Sequence, residues 1–267
     1  MTLLQAIIYG IVQGLTEFLP ISSSGHLYLV PTLLKWKDAG AGFTAVIQLG
    51  TLAAVLIYFR TDLANLIGAW FNSLLHREIR ETPEAKQAWG VFWGTIPIII
   101  VGLLLKNYIE GAFRSPWIVA AALIGFGLLM GLSEKIGAQK VGMDGVGPKE
   151  GLMMGLWQCL ALIPGSSRSG STITGGLFMG LNRATAARYS FLLSVPSVLA
   201  SGLYKLVDER DNLLQEGLTA TIVGTVVSFV VGYLAVAWLM KFLQNRSTWI
   251  FVWYRVALGL IIILLAA

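Results

Sequence analysis

Two polar stretches interrupt apolar sequence and decide the architecture: Ile21-Ser22-Ser23-Ser24-Gly25-His26, and Pro164-Gly165-Ser166-Ser167-Arg168-Ser169-Gly170. Each sits between two apolar segments too short to cross a bilayer, which takes roughly 20 residues. Residues 3–19 predict one short helix stopping at Pro20, and residues 26–34 a second. Residues 150–163 and 171–181 repeat the pattern around the second stretch. Irregular polar backbone at membrane depth is tolerated only where it is buried in protein or lines a wet cavity. Both segments therefore read as re-entrant hairpins, short helix, polar loop, short helix.

The rest of the chain sets these hairpins in lipid. Of 267 residues, 56% are hydrophobic and only 12% charged, with a mean hydropathy of +0.73. A soluble domain carries about 25% charged residues, so no single core would hide this much apolar surface. Six further stretches are long enough to span: 43–60, 88–106, 116–134, 185–206, 217–241 and 249–267. The expectation is an all-α membrane protein of six transmembrane helices plus two re-entrant hairpins. Residues 1–20 belong to the fold, because they lack the basic start and small-residue cleavage site of a signal peptide. Cys159 is the one cysteine, which excludes an intrachain disulfide. The net charge of +5 fits loops beside anionic lipid rather than nucleic acid, since no basic cluster is interleaved with aromatics. The Trp residues read mostly as interface anchors.

The two halves are similar. Gly10-x-x-Gln13-x-Leu15 matches Gly155-x-x-Gln158-x-Leu160, and Ser22-x-Ser24-Gly25 matches Ser167-x-Ser169-Gly170, both at an offset of 145; Phe43 to Ala54 lies over Tyr189 to Ala200 at 146. The expected organisation is one membrane domain, 1–267, with a first repeat over 1–136 (hairpin 3–34 plus three spans) and a second over 148–267 (hairpin 150–181 plus three spans). Three spans per half make the second half enter from the opposite face. Such inverted-topology repeats bring broken helices together near the midplane.

Basic residues give an orientation. The loops on the N-terminal side carry Lys35, Lys37, Lys106, Arg114, Lys205 and Arg210. The other side carries eleven: Arg60, Arg77, Arg80, Lys86, Lys135, Lys140, Lys149, Arg183, Arg188, Lys241 and Arg246. The richer side is cytoplasmic by the positive-inside rule, which turns the first motif and both termini outward. Arg168 and Arg255 are set aside as intramembrane.

The chemistry-bearing residues concentrate in the two motifs. Glu17 follows Gln13 by one helical turn, on the same face, and an ionisable group within the bilayer is a functional candidate; the plainer role is to pair with Arg168 or cap backbone. His26 directly follows three hydroxyls and suits acid/base or nucleophilic work on phosphorus, although a lone histidine often serves structure. Ser22, Ser23, Ser24 and the Gly25 N–H stand at a helix start, which holds an anion or is simply capped by serine. Arg168 suits bidentate grip on phosphate, against snorkelling to the interface. Ser167, Ser169 and Thr172 add donors, or pack as small residues do. Gln158 mirrors Gln13, while Asn107 and Arg255 read as structural. One carboxylate, one imidazole, several hydroxyls and one arginine suit a phosphate ester or anhydride. No Cys/His cluster points to zinc. Glu17 together with phosphate oxygens would suit Mg²⁺ or Ca²⁺. The bilayer implies a lipid-borne substrate.

Gln13-Gly14-Leu15-Thr16-Glu17-Phe18-Leu19-Pro20-Ile21-Ser22-Ser23-Ser24-Gly25-His26 and Pro164-Gly165-Ser166-Ser167-Arg168-Ser169-Gly170-Ser171-Thr172 resemble the two signature motifs of the undecaprenyl-diphosphate phosphatase, or bacitracin-resistance, family. The resemblance covers the whole chain in length and segment order. It implies a bacterial inner-membrane acid-anhydride hydrolase. Its substrate would be the C55 polyprenyl diphosphate, its product the monophosphate, and its role to recycle the carrier lipid for peptidoglycan synthesis. It also implies divalent-metal dependence and a periplasm-facing site. It assigns Glu17 as the essential carboxylate, Ser23 and His26 as catalytic, and Arg168 as the phosphate-binding arginine. Gln13 departs from the commoner glutamate, which weakens any mechanism with two carboxylates on that helix. Phosphatidic-acid-type phosphatases share only the Ser-Gly-His tripeptide. The same inverted architecture also suits a flippase or secondary transporter of lipid diphosphates that only binds, and pairing of two copies into a homodimer stays open.

Overall fold

The computed structural model describes residues 1–37, 39–106, 108, 115–208 and 218–266. Asn107, Arg114 and Arg210 lie outside them, as do the first residue of the stretch expected at 217–241 and the last of that at 249–267. Eleven α-helices are labelled here. They are α1 (Leu3–Phe18), α2 (Ser23–Leu34), α3 (Ala41–Tyr58), α4 (Arg60–Leu75), α5 (Pro83–Leu104) and α6 (Pro116–Ile136). Then follow α7 (Pro148–Cys159), α8 (Arg168–Phe178), α9 (Arg183–Asp208), α10 (Leu218–Asn245) and α11 (Trp249–Ala266).

Local chemistry sets the helix starts. Thr2 and Gln5 form a capping box at α1, and Thr82 caps α5 ahead of Pro83 at the first helical position, where the missing N–H costs nothing. Proline likewise opens α6 and α7. The helices leave large apolar side chains exposed along their length, from Leu3 and Leu4 to Leu264 and Leu265. That surface requires a nonaqueous solvent, so the chain is an all-α membrane protein. Five helices are long and apolar enough to cross a membrane: α5, α6, α9, α10 and α11. The sixth candidate is the α3–α4 pair, bent by 78°.

The stretch expected at 43–60 is helical as α3. The residues after it, taken as loop, instead form α4, which breaks from α3 at Phe59. No Gly or Pro marks the break. Arg60 and Asp62 follow it, and an Asp62–Arg188 ion pair holds the start of α4 to α9. Trp70 packs against Trp89 of α5, with 5.7 Å between ring centroids and the planes tilted by 50°. The second helix of each hairpin also begins earlier than expected, at Ser23 and Arg168 rather than at 26 and 171. The motif residues therefore occupy first helical turns instead of loops.

Tertiary packing interleaves the halves of the chain. α1 packs along α10, and α7 along α5; α3 touches both α9 and α10, and α6 runs beside α11. Small residues permit the closest approaches, as expected where lipid supplies no hydrophobic drive between helices. At the α5–α7 crossing a Cβ on Gly155 would collide with the Gly94 backbone, and one on Gly151 with Gly90. Beneath these crossings lies a core containing Phe18, Met130, Met154, Ile173, Leu177 and Phe191.

Candidate active site

The two hairpin tips are built alike. Ser22 and Ser167 precede α2 and α8 in left-handed conformations, φ 74° and 68°. Each turns its own Oγ back to accept from the N–H three residues on, Gly25 at 3.3 Å and Gly170 at 3.1 Å. Each also bonds the serine two positions later, Ser24 at 3.0 Å and Ser169 at 3.2 Å. The tips then grip each other. The Gly165 N–H donates to Ser24 Oγ (3.0 Å), and Ser169 Oγ donates to the Leu19 carbonyl (3.2 Å). Ser22, Ser24, Gly25, Ser167 and Ser169 thus have their polar groups engaged in caps and cross-tip bonds. Thr172 turns away, to the Arg168 carbonyl and to Ser190 Oγ of α9 at 2.5 Å.

Glu17 sits where the tips meet, 8% exposed. Its Oε2 accepts from Gln13 Nε2 at 2.8 Å and from Ser23 Oγ at 3.0 Å. Its Oε1 accepts from Arg168 Nη2 at 2.7 Å and from Gln48 Nε2 at 3.2 Å. Ser23 and Arg168 are equivalent positions of the two motifs, and both reach one carboxylate. The equivalence extends outward: Gln48 binds Glu17, while its counterpart Ser194 offers its carbonyl to Arg168 Nη1 at 3.4 Å. In the second half Leu162 stands where Glu17 would be. Gln158, fully buried, keeps an Nε2 without a partner among the described residues.

His26 is not part of that cluster. It sits one turn into α2 facing α11, with Nδ1 2.8 Å from the Ser22 carbonyl and Nε2 2.6 Å from Tyr254 Oη. Among the described residues no hydrogen bond joins it to Glu17 or Ser23.

A family model described as "Bacitracin resistance protein BacA" matches residues 6–261. The chain belongs to the BacA family. Three of its relatives are named undecaprenyl-diphosphatase. The protein of Thermobifida fusca (strain YX) is 50% identical over 267 residues, 100% of this chain and 91% of its own. That of Myxococcus xanthus (strain DK1622) is 49% identical over 265 residues, covering 99% and 89%. That of Chlorobium limicola (strain DSM 245) is 50% identical over 276 residues, covering 100% and 98%.

In this BacA-family chain, three residues that the motifs do not contain complete the site. Gln48 is the one amide on α3, and a polar side chain within a membrane helix is a functional candidate. Tyr254 holds His26. Arg255, 0% exposed, donates to four carbonyls: Ser166 at 2.7 Å, Gly165 and Leu123 at 3.2 Å, and Ala122 at 3.4 Å. It staples the second tip to α6. Gly170 makes room for it, since a Cβ there would stand 2.5 Å from Arg255 Nη1. Gly165, at φ +96°, takes a conformation that side chains rarely adopt.

Among the described residues no group of three or more His, Cys, Asp or Glu converges. The oxygens here are the Glu17 carboxylate and the Ser23 hydroxyl. These hard donors are chemically compatible with Mg²⁺ or Ca²⁺ shared with a phosphate.

Proposed function

We propose that this chain is an integral membrane hydrolase that dephosphorylates undecaprenyl diphosphate to undecaprenyl phosphate, returning the carrier lipid to peptidoglycan synthesis and giving bacitracin resistance. The observation that carries the reading is the convergence of Ser23 and Arg168, from separate motifs, on the Glu17 carboxylate. A hydroxyl bonded to a base that other groups orient is the arrangement of an activated nucleophile. Gln13, Gln48 and Arg168 do the orienting.

In the proposed reaction the terminal phosphoryl group enters beside Ser23, and Arg168 turns unused N–H donors to its oxygens. Ser23 Oγ attacks phosphorus in line, its proton passes to Glu17, and the bond to the bridging oxygen breaks, releasing the lipid monophosphate. Water, giving a proton to His26, then attacks the phosphoserine; the Ser23 Oγ–P bond breaks, Glu17 returns its proton to Ser23 Oγ, and inorganic phosphate leaves. Arg168 and nearby N–H groups stabilise the charge that develops on the phosphoryl oxygens. In the alternative version, Glu17 or His26 activates water directly. The Ser23–Glu17 hydrogen bond favours the first. A divalent cation, Mg²⁺ or Ca²⁺, held by Glu17 and the diphosphate, would supply further charge neutralisation.

The proposal extends to placement. Two re-entrant hairpins, α1–α2 and α7–α8, combine with six spans as inverted repeats in the bacterial inner membrane, and the site opens to the periplasm. The identical capping of the two tips and the crossed packing of α1 on α10 and α7 on α5 support it. Broken helices meeting at one point also suit a transporter of lipid diphosphates.

Phosphate release separates the readings. Purified protein in detergent, given undecaprenyl diphosphate, is expected to liberate inorganic phosphate, to stop with EDTA and to recover with Mg²⁺ or Ca²⁺. Substrate binding without phosphate release would replace the hydrolase by the transporter. Release unaffected by EDTA would remove the cation from the scheme.

A further inference from the structure

Tyr254 and Arg255 are neighbours on α11, and each reaches a different tip. Arg255 holds the carbonyls of the second. Tyr254 covers the first: its ring lies parallel to the His26 imidazole, 8° between planes and 5.6 Å between centroids. The contact joins residues 228 positions apart. Nothing in either motif anticipates it.

Hydrogen-bond chemistry fixes the state of this pair. A backbone carbonyl only accepts, so the 2.8 Å contact to the Ser22 carbonyl places the proton of neutral His26 on Nδ1. Nε2 then carries the lone pair, and the Tyr254 O–H donates to it across 2.6 Å. When His26 takes up a proton, Nε2–H donates and the same hydroxyl accepts. Tyrosine serves both states without moving, whereas an aliphatic side chain would serve neither. The stacked ring also holds the imidazole plane.

We infer that Tyr254 is the positioning residue of His26: it holds in place the imidazole whose tautomer the Ser22 carbonyl sets, with Nε2 against its hydroxyl, and it exchanges hydrogen-bond direction as His26 gains and loses its proton. The inference rests on the proposed role of His26 in hydrolysis. Ser22, which caps α2 and supplies the carbonyl, is the other half of the device. The position of His26 is thus set by one residue of the first motif and one of the last helix.

The test uses Tyr254→Phe, which keeps the stacked ring and removes the hydroxyl. Its kcat on undecaprenyl diphosphate is expected to fall about tenfold, the scale of one lost hydrogen bond, with KM and thermal midpoint unchanged. In a His26→Ala background the same change is expected to cost nothing more. Unaltered kcat in Tyr254→Phe, or an equal further loss in His26→Ala, would overturn the inference. A second readout is independent of turnover: ¹⁵N imidazole spectra of the full-length protein in detergent. His26 is expected as the Nδ1–H tautomer, with its Nε2 resonance displaced by Tyr254→Phe. An undisplaced resonance overturns the pairing. Should the wild-type protein release no phosphate, the hydrolase reading fails, while these spectra still decide whether Tyr254 governs His26.

Discussion

Arg168 Nη2 donates to Glu17 Oε1 over 2.7 Å and joins residues 151 positions apart in the chain. Through this pair the two Ser/Gly-rich tips become one site. Both side chains are nearly buried, 15% and 6% exposed, so neither is easily deprived of the other. Removing one partner of a buried pair typically costs about 3–5 kcal/mol, because the remaining charge is uncompensated.

Glu17→Ala is therefore expected to lose both activity and stability, whereas Glu17→Gln retains the fold better. Gln keeps one acceptor oxygen, enough for Arg168 and Gln48, but turns an amide N–H toward Ser23 and is no base, so kcat is expected to fall by roughly 10²–10⁴, the range for a lost acid/base group. Phosphate release and thermal unfolding of the two variants, measured side by side, check this. Glu17→Gln at wild-type rate would exclude Glu17 from proton transfer.

The serines of the first tip separate by role. Ser23→Ala removes the proposed nucleophile, and no phosphorylated enzyme is expected on rapid quench, whereas wild type under turnover should yield one. A wild-type enzyme that never becomes labelled would move the attack to water. Ser22→Gly loses a cap, a change worth only a few tenths of a kcal/mol. It also relieves a φ of 74°. It is expected to keep the fold, as the thermal midpoint would report.

Arg255 is the structural counterpart of Arg168. Arg255→Ala abandons its carbonyl acceptors at the second tip and on α6, with an expected loss on the order of 2–4 kcal/mol from charge-assisted bonds and packing. Activity should fall with stability, and a thermal-shift series including Arg255→Lys would show a partial return. An unchanged midpoint in Arg255→Ala would mean that the tip holds without it.

Glycine contacts make a sharper contrast. Gly155→Ala presses a methyl group into the Gly94 backbone, which cannot give way, and should sharply reduce folded yield. Gly68 faces open space, so Gly68→Ala on α4 should be neutral or stabilising by up to ~1 kcal/mol. Size-exclusion profiles of the two purified variants distinguish them; equal yields would contradict the tight α5–α7 crossing.

Much of this was legible because the breaks are covalently encoded. Pro20 and Pro164 stand just past the first helical segment of each hairpin, although Pro31, Pro97 and Pro196 are carried inside helices, and serine caps explain the restart at Ser23 and Arg168 once the left-handed Ser22 and Ser167 are seen. The lipid-facing surface follows from composition alone. The helix beyond Phe59 was not legible, because Arg60 and Asp62 end the apolar run there and no cap or spacing signals that the chain stays helical as α4. It is held by Asp62–Arg188 and by Trp70 against α5, contacts made at long range. The same reason hid Gln48 and Tyr254. A single amide or phenol in an apolar helix carries no spacing signature, and only the packing of α3 and α11 beside the tips reveals what it meets. Thr172 shows the converse: its motif membership suggested donation to phosphate, yet it faces Ser190 within the helix packing.

The most direct test of one site made from two motifs is a double-mutant cycle on kcat/KM with Glu17→Gln and Arg168→Lys. Groups that act as a unit are strongly non-additive. The double variant is expected to be no worse than the poorer single variant. Losses that simply multiply would mean that Glu17 and Arg168 act independently, and would contradict the joint site.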